Sequence, residues 1–138
     1  IISLQPMKYV RLSTEELQEL EKEFIDFLVV NGITATDWIA IKENEPLNAD
    51  EIINQFSDVV WESIMRSTNY LSKIEETTAY YFKCNTSDIT LKKIIKGDNG
   101  AEMFTALKDY KKVREEEMFD MIQSGCTISD GKDYNMLN

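Results

Sequence analysis

The apolar residues change rhythm near Tyr70. Before that point, Leu17, Leu20, Phe24, Phe27 and Leu28 recur at helical spacing, and Ile52, Phe56, Val60 and Ile64 do the same. After it, Tyr80, Phe82 and Cys84 alternate with Ala79, Tyr81 and Lys83, and Ile89 and Leu91 alternate with Thr90 and Lys92. A chain that obeys a period of about 3.6 and then a period of 2 needs both helices and a half-buried sheet. The expectation is an α+β fold: N-terminal helices, a small three-stranded antiparallel meander, and a long C-terminal helix.

Local signals set the boundaries. Ser13 and Glu16 form a capping box, with Leu12 and Leu17 as its hydrophobic staple, and Asn31-Gly32 closes this first helix. A second, short helix fits TATDWIAIKEN, capped by Thr34 or Thr36. Asn48 and Glu51 mark the start of a third helix, running to about Arg66. The segments YLSKIEE, TAYYFKCN and DITLKKIIK supply the meander. KGDNG reads as a turn, Asn99 and Glu102 as a third capping box, and the last helix is expected from about Gly100 to Ser124 with Gly125 at its end. One domain is expected over residues 7–125. Residues 1–6 read as an upstream extension or an expression remnant before a start at Met7, and residues 126–138 as a loosely docked polar tail.

The third helix raises a question. With Ile52 at zero and about 100° per residue, Ile52, Ile53, Phe56, Val59, Val60 and Ile64 cover an arc of about 140°. Trp61 falls at about 180° and Met65 at about 220°, one turn apart on another face, beside Asp58. Either this helix is covered on two sides by its own chain, or Trp61 and Met65 form an exposed patch rimmed by Asp58 and Glu62, as interaction hot spots are composed. In the last helix, Arg114 and Glu117 fall inside the apolar face, three apart; they read as a pair in water where the helix leaves the core, or as a buried specificity element or part of an interface. The candidate interaction surface is therefore Trp61, Met65, Asp58, Glu62, Arg114 and Glu117.

Composition narrows the chemistry. The chain has no histidine, which removes Ser-His-Asp and Cys-His catalysis and the commonest metal ligand. It lacks both a phosphate-binding glycine loop and a dinucleotide fingerprint. Cys84 and Cys126 have no metal or redox spacing; Cys84 reads as a buried inert thiol and Cys126 as a more exposed one. Asp58 with Glu62, and Glu19 with Glu23, have the spacing to hold a cation or supply an acid and a base, but the plainer reading is a solvated acidic face. The net charge of -10 is concentrated early: Ser13 to Glu76 carries 15 acids against 4 bases. That field disfavours nucleic acid and suits a basic partner. Lys92, Lys93, Lys96, Lys108, Lys111, Lys112 and Arg114, with Tyr80, Tyr81 and Tyr110, leave a weaker RNA reading. The longest strong apolar run, FLVV, is too short for a membrane span.

The run MKYVRLSTEELQELEKEFIDFLVVNGITATDWIAIKENEP, followed by IINQFSDVVWE, resembles a family of short Bacteroidetes proteins, a domain of unknown function, over about residues 7–95. The resemblance implies a bacterial cytoplasmic protein and carries no mechanism. The expectation is a non-enzymatic protein-interaction or adaptor domain with no cofactor and no membrane association, acting on a protein partner or on itself. The alternatives are a carboxylate-based metal-dependent enzyme and, more weakly, an RNA-associated factor.

Overall fold

The structure, a computed structural model, describes residues 6–138. Of the six residues read as an upstream extension, 1–5 lie outside the described residues. The chain divides into two compact units, Ile1–Glu62 and Ser63–Asn138. The fold is α+β, with the helices first, as the change of period requires.

In the first unit the predicted single opening helix is two: α1 (Thr14–Glu19) and α2 (Glu21–Val30), separated at Leu20. The Ser13–Glu16 capping box closes in both directions. Thr34, not Thr36, caps α3 (Ala35–Asn44), and Asp37 returns the bond to complete a second box. The 22-residue α4 (Pro46–Ser67) starts two residues before Asn48. Proline suits a first helical position, where its missing N–H has no helical partner to lose. The core of this unit is aromatic. Phe24 meets Trp38 and Phe56 edge-on, at centroid distances of 5.1 and 5.0 Å, and Phe27 lies 5.5 Å from Phe56.

The buried stripe of α4 differs at its rim from the sequence expectation. Ala49, Ile52, Phe56 and Ser57 are buried, whereas Val59 is 54% exposed. Ser57 accounts for the shift. Its hydroxyl accepts from the Leu12 amide and donates to the Ile53 carbonyl, so a polar side chain occupies the core without a stranded group.

The second unit carries a sheet of five antiparallel strands, not three, in the order β4-β3-β2-β1-β5. The expected meander is present as β1 (Tyr70–Ile74), β2 (Thr78–Cys84) and β3 (Asp88–Gly97). The long C-terminal helix is the main correction. Gly100–Asp109 is a strand, β4, and only Arg114–Gln123 is helical, as α5. Gly97 and Gly100 face each other across Asp98-Asn99, a two-residue hairpin turn. The apolar residues Met103, Ala106 and Leu107 fit helical spacing, but ten register pairs with β3 decide otherwise. Asn99 belongs to the turn, so the expected capping box does not form.

Gly125, at φ +113°, follows α5 as expected of a C-terminal glycine. The stretch read as a polar tail continues the fold: β5 (Thr127–Ser129) adds to β1, and α6 (Lys132–Met136) follows. Cys126, expected to be the more exposed thiol, is buried. Among the described residues no single helix is long and apolar enough to cross a membrane.

Candidate interaction site

Of the six residues singled out from the sequence, Asp58, Trp61 and Glu62 belong to the first unit and Met65, Arg114 and Glu117 to the second. Met65 is 0% exposed and Glu117 is also buried. Trp61 is half-buried, with its indole nitrogen covered. Asp58 and Glu62 are held by the segment before α1. Asp58 accepts from the amides of Lys8 and Tyr9 at 2.8 and 2.9 Å, and Glu62 from the Lys8 amine and the Tyr9 hydroxyl at 2.6 and 2.7 Å. One turn of helix thus presents two carboxylates at the spacing that binds four donors of Lys8 and Tyr9, at a bend before α1. That is an anchoring task rather than an acid–base one. Among the described residues no three metal-ligating side chains gather.

Arg114 and Glu117 turn to different partners. The Arg114 guanidinium donates to the carbonyls of Met65, Thr68, Cys84 and Asn85 at 2.6–3.2 Å, and also pairs with Glu115. It thereby joins the C-terminal carbonyls of α4 to the end of β2, where a planar five-donor fork is needed and a lysine is not equivalent. Glu117 accepts from the Lys111 and Lys112 amides and pairs with the Lys108 amine at 3.0 Å. Burial alone would raise its carboxyl, but these contacts outweigh it and hold the group below the usual carboxylate range.

Between α5 and one face of the sheet lies a cleft of about 640 Å³. Tyr80, Phe82, Leu91 and Ala106 give it an apolar floor, and Lys73, Lys108 and Lys112 sit at its edge. Each of these lysines already has an acid: Glu75, Glu117 and Asp120 respectively. Burial pushes Cys84 up to about 11, and burial likewise raises Cys126, which lines the cleft. Both thiols stay protonated at neutral pH and are poor nucleophiles.

The surface that sequence reasoning missed is β4. It lies at the edge of the sheet, with β3 as its one neighbour among the described residues. All ten of its residues are exposed, among them Met103 at 37%, Phe104 at 47% and Leu107 at 67%. Its hydrogen-bonding direction follows from β3. Lys96 donates to Thr77 and Asp88 accepts from Asn85, so the even-numbered residues of β3 face β2 and the odd ones face β4. Through the register, the even-numbered residues of β4 bond β3. The amides and carbonyls of Ala101, Met103, Thr105, Leu107 and Asp109 therefore point outward from the sheet. The sequence held the signal for this strand in GDNG, a hairpin turn between two glycines.

Residues 7–102 and 91–138 match the model of a family of unknown function, DUF6495. The chain belongs to this family. The two matches overlap across most of β3 and the start of β4, so together they cover both units of the chain. No curated protein and no solved structure matches it.

Proposed function

We propose that this member of DUF6495 is a non-enzymatic binding domain that works by engaging a protein partner through the outer edge of β4. The observation that carries the reading is a ten-residue edge strand in unbroken register with β3, exposed along its whole length, with apolar side chains on both faces. Exposed sheet edges are normally short, bulged, or guarded by proline or an inward charge, because an open row of amides and carbonyls recruits another strand. β4 has no proline and no break in its register with β3. The opposite edge, β5, has three residues and fits the protected pattern. Strand addition gives affinity through main-chain bonds and specificity through alternate side chains.

The alternatives lose support for specific reasons. Asp58 and Glu62 are engaged with Lys8 and Tyr9, and Glu19 and Glu23 fall on two separate helices, α1 and α2, rather than on one turn. Lys92 donates to the Tyr134 and Leu137 carbonyls, and Lys108 and Lys112 face acids, which divides the basic set an RNA would need. Two buried free thiols suit a reducing cytoplasm, and the likeness in the first ninety residues suggests a bacterial one.

The test is retention of a protein from native lysate by the full chain, compared with Thr105→Pro. The Thr105 amide points outward, so proline there removes a donor from the free edge and none from the β3 ladder. The reading expects a retained protein that Thr105→Pro loses while its melting transition survives. Retention indifferent to Thr105→Pro contradicts it.

A further inference from the structure

Resting on that reading of β4, we infer that the strand's occupant is β4 of a second copy of this chain, paired antiparallel about a two-fold axis through Thr105. The strand is complementary to its own reverse. With Thr105 opposite Thr105, Glu102 falls opposite Lys108, Met103 opposite Leu107, Phe104 opposite Ala106 and Ala101 opposite Asp109. The backbone parity agrees. Thr105 faces outward, so the two central residues exchange both of their main-chain bonds, as do Met103 with Leu107 and Ala101 with Asp109. Glu102 and Lys108 then form a non-hydrogen-bonded pair, the closer of the two kinds, on one face of the sheet, and they do so twice by symmetry.

Moving the axis by one residue, to Phe104, sets Glu102 opposite Ala106 and Lys108 opposite Gly100, and both charge pairs are lost. The axis at Thr105 pairs nine of the strand's ten residues, Ala101 to Asp109. Lys108 keeps Glu117 of its own chain within reach, so Glu102 of the second copy completes an acid–lysine–acid row. On the other face, Met103 and Leu107, exposed in one copy, cover each other. The unit that carries β4 adds little charge of its own to such a contact. Residues 63–138 hold 12 acids and 11 bases, against 13 acids and 4 bases in residues 1–62. The product is one continuous ten-stranded sheet with an isologous interface.

Sedimentation of the purified full chain across a concentration series tests this, with melting curves as the check on folding. Wild type is expected to dimerise, and Thr105→Pro to remain monomeric. Glu102→Lys places lysine opposite lysine twice and is expected to weaken the dimer at least about tenfold. Lys108→Glu weakens it in the opposite sense. An equimolar mixture of Glu102→Lys with Lys108→Glu restores both pairs and is expected to recover a heterodimer. Glu102→Lys leaves the Lys108–Glu117 pair intact, so its effect does not depend on tolerance of a change at Lys108. A wild type that stays monomeric throughout, or a dimer indifferent to both Thr105→Pro and Glu102→Lys, overturns the inference. A monomeric wild type whose retained lysate protein is still lost in Thr105→Pro overturns the second copy alone and leaves the proposed function standing.

Discussion

Arg114 gathers four main-chain carbonyls that no other side chain of its length could reach together. Arg114→Lys keeps the charge but not the fork, and is expected to cost about 2 kcal/mol, read as a lowered midpoint in urea unfolding. Glu117 makes a pH prediction. Its folded-state pKa is depressed, so its stabilising contribution is fully present above the unfolded value and is lost as pH falls through the folded one. Glu117→Gln is expected to be less stable than wild type at neutral pH, with the gap narrowing as the pH drops below about 4. A gap that stays constant to the lowest pH contradicts that sign. The two thiols make a third prediction. Cys84 and Cys126 are buried and protonated, so a thiol reagent is expected to label them slowly at neutral pH in the native protein and rapidly in denaturant. At this scale the sequence was partly readable. Ser13, Thr34 and Gly125 acted as their local chemistry dictates, because caps depend on neighbours three or four residues away. Arg114 and Glu117 were noticed as charges on an apolar face. Their partners lie up to 49 residues away in sequence, and helical spacing contains no information about those.

The elements divide the same way. The helical stretches before Tyr70 and the first three strands follow from their periodicity, but Gly100–Asp109 carries an apolar pattern that a helix also satisfies. The turn between Gly97 and Gly100 and the pairing with β3 decide its state. Long-range pairing overrides a local pattern wherever that pattern is ambiguous. The last residues teach a related lesson. DGKDYNMLN has the composition of a frayed end, yet the Lys92 amine donates to the Tyr134 and Leu137 carbonyls and stands 4.0 Å from the Tyr134 ring centre. The Tyr70 ring lies beside Tyr134, and it also closes off Gly131, where a Cβ would meet the ring at 2.5 Å. Gly131 adopts φ +88°, so Gly131→Ala adds backbone strain to the steric conflict. That substitution is expected to lower stability by about 2 kcal/mol and to raise hydrogen exchange across 132–136 before the rest of the sheet. Uniform protection in both proteins would show that α6 is not anchored at this contact.

At the scale of the whole molecule, the acidic charge belongs to the first unit and the near-neutral sheet to the second. The unit that carries β4 is thus near neutral by itself, which suits an association surface on that strand. The earlier candidate around Trp61 arose because helical spacing cannot say how many sides of a helix are covered. Met65 is wholly enclosed, and the exposed apolar residues that sequence reasoning placed in a last helix lie on an edge strand instead. Residue-resolved hydrogen exchange on β4, at low and high protein concentration, tests the central claim most directly. The outward amides of Met103, Thr105 and Leu107 are expected to exchange quickly in dilute protein and to become protected as concentration rises, while those of Phe104 and Ala106, already bonded to β3, change little. Outward amides that exchange equally fast at every concentration would contradict that claim.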